Sequence, residues 1–273
     1  MSPLSEQVCP NGLLWRRKLM DIVILGSGNV AAVLGRKFKA AGHRILQVIS
    51  RNASAASKLA YEWDTESANY PSIAKPNADI YIIAVSDDAI DDVINNIKLP
   101  KQIVAHTAAS VSKDILKTVT DHYGVFYPLQ SLHKEDADLP ETPIFFDGSD
   151  EMTKKKLEAL ANSISPQHVT QASDDARSKL HVAAVFVNNF TNHLYALAEN
   201  YCRKEGIDFN ELLPLIDETA SRIKDISPSR SQTGPAIRHD EETIEKHLAI
   251  LKAYPDLQKV YEFLTASIKG FKP

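Results

Sequence analysis

The sequence predicts an α/β protein, a Rossmann-like doubly wound, mostly parallel sheet followed by an all-helical domain, and three observations lead there. The apolar run Asp21–Leu25 breaks into Gly26-Ser27-Gly28 and resumes as an amphipathic pattern. Strand-like and helix-like stretches then alternate to about residue 171, as they do in a chain of βαβ units. Beyond that point the strand signals stop and helical periodicity takes over.

Composition narrows the functional classes. At 273 residues and 44% hydrophobic, the chain can form one large domain or two modest ones with proper cores. Its 31 basic and 35 acidic residues leave a net charge of -4, which gives no long-range field for nucleic acid or an anionic membrane. No apolar run is long enough to span a bilayer. Cys9 and Cys202 are the only cysteines, far apart and without metal-ligand spacing, so no metal site or disulfide framework is expected and a reducing cytoplasm fits. Residues 1–19 read as a flexible extension ahead of Met20. Their apolar Leu13-Leu14-Trp15 precedes Arg16, Arg17 and Lys18, the wrong order for a secretory signal.

The elements follow in order. After the glycine turn, Val33, Leu34, Phe38 and Ala41 recur at helical spacing and Gly42 closes the helix. Arg44–Ile49 is a buried parallel strand, which completes a βαβ unit of about 30 residues. Ala53–Trp63 is a second helix, and residues 79–85 are a strong strand running into Ser86-Asp87-Asp88. Asp87 or Asp88 is expected to cap the helix that carries Ile90, Val93 and Ile94. Strands follow at 102–106 and at 124–128, where Pro128 ends the ladder, and shorter ones at 144–146 and 167–169 flank a helix over Glu151–Ile164. A helix is expected from about Ser112. From 174 to about 204 runs one long helix, apolar on most sides and expected to be buried among others. Further helices are expected at 209–226, 242–253 and 257–269, with a polar loop at 227–240. The domains are therefore set at 20–171 and 172–273.

The glycine turn has a chemical reading. Gly26 permits the sharp turn, Gly28 lets a pyrophosphate approach the backbone, and Ala31 keeps helix and strand close. The amides of Ser27, Asn29 and Val30 then face the phosphates from the positive end of the helix. After the second strand an NAD site would carry an acid for the ribose hydroxyls, whereas this chain has Ser50-Arg51-Asn52. A guanidinium suits the extra phosphate of NADP, so NADP(H) is the expected cofactor. Val85 and Ser86 should border it beyond a strand's carboxyl end, and His106 and Thr107 should contact it near the nicotinamide. His106 could instead serve as a proton donor, or merely satisfy a neighbouring carbonyl.

On the long helix, His181, Asn188, Asn192, Tyr195 and Glu199 fall on one stripe at about 100° per residue, with Asn189 and His193 somewhat round from it. Polar groups on an apolar helix need partners, which helix-to-helix or dimer contacts would provide. The functional alternative is a pocket in which His181 is the acid-base group and an Asn orients the substrate. The Gly234-Pro235 pair is a turn signal, and with Arg238 and Asp240 it offers an anion-binding corner.

Several motifs carry a family resemblance: Gly26-Ser27-Gly28-Asn29-Val30-Ala31, Ala84-Val85-Ser86-Asp87, His106-Thr107-Ala108-Ala109-Ser110, Pro128-Leu129-Gln130, His181-Val182-Ala183-Ala184 with Asn189, and Thr233-Gly234-Pro235-Ala236-Ile237-Arg238. Together they resemble a bacterial family that joins a Rossmann-like domain to a C-terminal domain of unknown function, labelled as NADP oxidoreductases and sometimes as deazaflavin-dependent. The likeness covers nearly everything after Met20. It implies a small-molecule substrate near Gln130 and Arg238. More distantly the layout is similar to 6-phosphogluconate and β-hydroxyacid dehydrogenases, which implies a homodimer through the helical domain. Those enzymes place a lysine one turn before an asparagine; with Asn189 as that asparagine the lysine position is Val185, which cannot transfer a proton. His181 stands one turn earlier. Two motif positions depart from the family: Tyr127 where His is common, and His239 where Gly is common.

The expected activity is hydride transfer between NADP(H) and a small carbonyl or imine, with His181 and Asn189 catalytic. The competing expectation is an NADP(H)-binding sensor that keeps the fold without turnover.

Overall fold

The computed structural model describes residues 19–69, 74–136 and 139–271; apart from Leu19, the expected extension lies outside the described residues. The chain divides into two compact units, with the boundary after Asn188.

The first unit is built on an eight-stranded sheet. Its strands are β1 (Asp21–Leu25), β2 (Arg44–Ile49), β3 (Glu66–Ala68), β4 (Ile80–Ile83), β5 (Ile103–His106), β6 (His122–Pro128), β7 (Ile144–Gly148) and β8 (Val169–Gln171). The order is β3-β2-β1-β4-β5-β6-β7-β8, and every pairing is parallel except β6 with β7. Strands run outward from β1 in both directions, so the β1/β4 boundary is the point where the winding reverses, the usual place for a ligand crevice.

Alternation along each strand feeds two cores. Ile22, Ile24, Ile82 and Phe126 face α1 (Asn29–Ala40), α2 (Ala53–Trp63) and α4 (Glu151–Ile164) through Leu34, Phe38, Trp63 and Leu157. Val23, Leu25, Tyr81 and Val104 face the other side, where α3 (Ile90–Ile94) supplies Ile90 and Ile94. Both faces are covered, which is why these strands read as continuous apolar runs.

Caps set the boundaries. Ala41 ends α1, and Gly42 follows at φ +90, a conformation that costs glycine little. Asn52 caps α2 by accepting from the Ala55 amide at 3.0 Å. Asp150 caps α4 by accepting from the Thr153 amide at 2.9 Å. Burial pushes the Asp150 carboxyl up, but His122, Thr153 and Ser149 together hold it below the usual carboxylate range.

Several expectations need correction. Neither Asp87 nor Asp88 caps a helix: the pair sits inside a 3-10 turn, Asp87–Ala89, with Ser86 at the cap position. The turn tightens because the chain must leave a strand end and enter α3 within a few residues. The helix expected from Ser112 is a 3-10 turn, Lys113–Thr118, which the Ser112 hydroxyl oxygen caps by accepting from the Asp114 amide at 3.2 Å. Strand β8 begins at Val169 rather than at 167, and β3 was not foreseen, its three residues being too short for a periodic signal.

The long helical stretch is not uniform. It divides into α5 (Asp174–Ala184), a π-helical turn Val185–Phe190, and α6 (Thr191–Glu205). A turn closed i→i+5 takes up about one residue more than an α turn, so a stripe drawn at about 100° per residue does not continue straight through it. Nor is the stretch buried: Val182, Phe186 and Val187 are 60%, 63% and 75% exposed.

The second unit comprises α6, a 3-10 turn Phe209–Leu212, α7 (Leu213–Arg222), a short α8 (Pro228–Ser231) inside the expected loop, α9 (Glu241–Leu251) and α10 (Pro255–Gly270). Asp240 caps α9 by accepting from the Thr243 amide at 3.1 Å. His239 sits at φ +53, in the left-handed region that glycine enters more cheaply, which gives a physical reason for glycine at this position in the resembling family. No helix of the described residues is long and apolar enough to cross a membrane.

Candidate cofactor site

A cleft of about 670 Å³ opens at the carboxyl ends of β1, β2 and β4. That is within the range of small-molecule sites. Ten of the residues expected to hold a cofactor line it: Gly26, Ser27, Gly28, Asn29, Val30, Ser50, Arg51, Asn52, Val85 and Ser86. Asn69, at the end of β3, also lines it and carried no sequence signal.

The glycines do different jobs. Gly26 takes φ +136, and a Cβ there would lie 2.0 Å from the Ala84 carbonyl oxygen, so the turn from β1 into α1 can pass the end of β4 only with glycine. Gly28 is an ordinary N-cap at φ -80, and a Cβ there would meet nothing within 4 Å. Its missing side chain therefore leaves ligand space rather than room for protein. Helix α1 begins at this point with no side-chain cap and no acid in its first turn. Its first amides and the positive end of its dipole are thus left to an anion. A pyrophosphate fits this cradle.

Around the rim, the Ser27 and Ser50 hydroxyls bond at 2.8 Å, tying the glycine turn to the end of β2. Arg51 is 74% exposed and pairs with Asp92 at 2.8 Å, itself 66% exposed. Such a surface pair is worth about 1 kcal/mol or less, so its guanidinium can exchange that carboxylate for a phosphate.

His106 and Thr107 do not line the cleft. His106 is fully buried, its Nδ1 accepting from the Ala108 amide at 3.2 Å and its Nε2 meeting the Ser112 carbonyl at 3.3 Å. An amide can only donate, so Nδ1 is unprotonated and Nε2 carries the hydrogen. Burial, helped by the nearby Arg177 charge, lowers its pKa to about 4. It is a neutral structural histidine, the last of the three roles weighed for it. Thr107 is buried and its amide bonds the Ile83 carbonyl at 3.0 Å.

Helix α5 brings a second cluster to this unit. Ser173 caps it by accepting from the Ala176 amide at 3.2 Å. Arg177, 1% exposed, donates from Nε to the Ala109 carbonyl at 2.8 Å and from Nη2 to the Val111 carbonyl at 2.5 Å, and pairs with Asp174 at 2.9 Å. Asp174 in turn accepts from the Ser112 hydroxyl at 2.5 Å. The start of α5 is thus clamped to the loop after β5. One turn on, His181 Nδ1 meets the Tyr127 hydroxyl at 3.1 Å, the rings edge-on at 6.2 Å. Asp87, next to the cleft-lining Ser86, is close enough for its charge to act on the Tyr127 phenol. Tyr127 drew notice in the sequence only as a departure from a motif, and Arg177 drew none, since periodicity weighs apolar residues.

Three further site residues were expected, one in the first unit and two in the second. Gln130 is exposed, and its side-chain amide is used locally, donating to the Glu141 carbonyl at 3.0 Å and accepting from the Ser131 amide at 2.9 Å. Asn189 is exposed in the π-helical turn, and Arg238 is exposed in the turn before α9; both belong to the second unit. No group of three or more His, Cys, Asp or Glu suited to a metal ion occurs among the described residues.

Fold and cleft together define a Rossmann-like class of protein with a cleft at the point where the sheet's winding reverses. The family profile described as "NADP oxidoreductase coenzyme F420-dependent" matches residues 21–110, and that described as "Domain of unknown function (DUF2520)" matches residues 142–268. Among solved structures, the "putative NADP oxidoreductase BF3122" of Bacteroides fragilis is 37% identical, with TM-score 0.86, over 93% of this chain and 99% of that one. Protein TM1727 of Thermotoga maritima is 21% identical with TM-score 0.68, over 91% and 96% of the two chains. A reductive aminase of Aspergillus terreus, solved with NADPH and ethyl-5-oxohexanoate, is 16% identical with TM-score 0.65, over 93% and 92%. No curated protein matches. The chain belongs to the NADP oxidoreductase family in which a Rossmann-like domain precedes DUF2520.

Proposed function

We propose that this protein is an NADP(H)-dependent reductase of small carbonyl or imine compounds. The observation that carries the cofactor half is the uncapped, acid-free start of α1 beneath Gly28, with Arg51 at the rim of the same cleft. The α1 amides would hold the pyrophosphate, and Arg51 would leave Asp92 for the 2′-phosphate. Val85 and Ser86 would border the nicotinamide half. When bound, NADPH supplies a hydride, and the protein supplies orientation and a proton. His181 is the group we assign to the proton, since it alone of the two residues expected to be catalytic lies in the unit that forms the cleft. The reductive aminase of the same fold, solved with NADPH and a ketone ester, supports the substrate class.

Binding and turnover test the two halves separately. In Arg51→Ala the affinity for NADPH should fall about tenfold to a hundredfold while that for NADH stays, because hydrogen bonds to charged groups are worth about 1.5–3 kcal/mol. An unchanged NADPH/NADH ratio would remove the NADP assignment. NADPH oxidation screened against keto acids, aldehydes and cyclic imines should lose about two orders of magnitude in His181→Ala, with NADPH affinity intact. Tight NADPH binding without turnover of any substrate by the wild type would favour the sensor; hydride transfer only with a deazaflavin would favour that carrier.

We also propose that a second copy of the chain covers the exposed apolar turn at Val182, Phe186 and Val187, since single-chain burial leaves them in water. Sedimentation equilibrium should give twice the 30.2 kDa chain mass, and Phe186→Glu should lower it toward one. A wild-type monomer would refute the dimer.

A further inference from the structure

We propose that Tyr127 is the positioning residue for His181: its hydroxyl holds the imidazole by Nδ1, so that the neutral ring carries its proton on Nε2 and presents that atom to the substrate. This rests on the assignment of His181 as the proton-handling group. The geometry supports it directly. The hydroxyl lies 3.1 Å from Nδ1, and the two rings meet at 83°, so the contact is made by the phenol oxygen and not by stacking.

Both partners sit on rigid supports. Tyr127 lies near the end of β6, paired with Phe145 of β7, and is 8% exposed. His181 follows the buried Arg177 by four residues on one helix, so both lie on the same face of α5. Arg177 is fixed by the Ala109 and Val111 carbonyls, and Asp174, one turn earlier, by the Ser112 hydroxyl. Neither side of the contact can drift without breaking buried hydrogen bonds.

In the proposed tautomer the phenol is the donor and Nδ1 the acceptor. Burial raises the Tyr127 phenol above its ordinary range, with Asp87 adding to the rise and Arg177 opposing it, so the oxygen keeps its proton near neutral pH. A phenol that donates to Nδ1 leaves the ring hydrogen on Nε2. If His181 takes up a second proton, Nδ1–H donates and the phenol oxygen accepts, after rotation of the hydroxyl alone. The imidazole therefore keeps one orientation through both protonation states. The proton that the substrate takes leaves Nε2 of the imidazolium, and the ring left behind is transiently the Nδ1–H tautomer, donating to the phenol oxygen until Nε2 is reprotonated from solvent, so the ring need not turn.

The experiment compares wild type, Tyr127→Phe and His181→Ala by two readouts. The first is nitrogen-15 NMR of histidine side chains under alkaline conditions, where imidazole is neutral, with the His181 signals assigned by their loss in His181→Ala. Wild type should show a protonated Nε2 and a hydrogen-bonded, unprotonated Nδ1. In Tyr127→Phe the Nδ1 resonance should move to the position of an unbonded pyridine-type nitrogen. The second readout is reduction of 2-methyl-1-pyrroline by NADPH. Tyr127→Phe should lower kcat about tenfold, the loss of one hydrogen bond, and leave KM for NADPH and the melting temperature nearly unchanged.

A protonated Nδ1 in the wild type, or an Nδ1 resonance that Tyr127→Phe leaves in place, overturns the proposal. So does an unaltered kcat in Tyr127→Phe where the wild type turns over. If the wild type reduces none of the substrates screened, the reductase reading fails, while the NMR result still decides whether Tyr127 sets the His181 tautomer.

Discussion

Gly26→Ala should cost about 4 kcal/mol or more, whereas Gly28→Ala should leave stability within about 0.5 kcal/mol and remove most NADPH binding. The two glycines are two positions apart and conformationally opposite. At Gly26 the added methyl would sit 2.0 Å from the Ala84 carbonyl oxygen, and φ +136 is strained for any L side chain. Strain of that kind costs about 1–3 kcal/mol, and forcing atoms into a filled space a similar amount again. The melting temperature should fall by roughly 8–16 °C for a unit of this size. At Gly28 the methyl meets no protein atom within 4 Å and φ is ordinary, so the fold should not notice it. It would occupy the space where phosphate must approach the α1 amides, and affinity should drop about tenfold to a hundredfold. Thermal melts and a fluorescence titration with NADPH separate the outcomes. Wild-type affinity in Gly28→Ala would mean that the phosphates lie elsewhere.

The second large effect is a loss of stability in mild acid, centred on His106. Its folded pKa of about 4 lies below the ordinary imidazole value, because burial and the Arg177 charge disfavour the imidazolium. Between those two values the unfolded chain binds a proton that the folded chain refuses. The stabilisation is therefore complete above about pH 6.5 and is lost as the pH falls toward 4, by about 3 kcal/mol in all. Urea unfolding of wild type and His106→Asn across this window should show it. Asn keeps an acceptor for the Ala108 amide without titrating, so the stability gap between the two proteins should narrow steadily as the pH falls. Parallel curves would mean that His106 gains a proton in the folded state without penalty.

These two predictions also show where sequence reasoning reached and where it stopped. The glycine turn was legible because its chemistry is local: a turn, a cradle and a helix start within a few residues. Arg51 was legible for the same reason, lying at the end of a strand whose neighbour had already been placed. His106 was not. It stands at a strand's carboxyl end, where ligands bind, and nothing in the local pattern reveals that Ala108 and Ser112 fold back to occupy both ring nitrogens. Asp87 and Asp88 misled similarly, since a helix start and a 3-10 turn draw on the same residue types.

The long helix shows the limit most plainly. Its extent was foreseen within a residue or two, but the π-helical turn at Val185–Phe190 was not. A stripe drawn at about 100° per residue from His181 does not run straight through that turn. The apolar residues expected to be buried stand in water in the single chain. Hydrophobic spacing tells which face seeks cover and cannot tell whether this chain or another provides it.

By itself, then, the sequence determined the doubly wound sheet, the glycine cradle and the basic residue at its rim, because each depends on backbone freedom, period or charge within a short stretch. Only the tertiary structure decided the partners of His106, the buried anchoring of Arg177 and the meeting of Tyr127 with His181. The contacts of Arg177 with Ala109 and Val111 and of Tyr127 with His181 join residues 54 to 68 positions apart, while those of His106, two and six positions apart, depend on how the loop after β5 is buried. Distance and burial at such separations are set by how the layers pack, which no local pattern encodes.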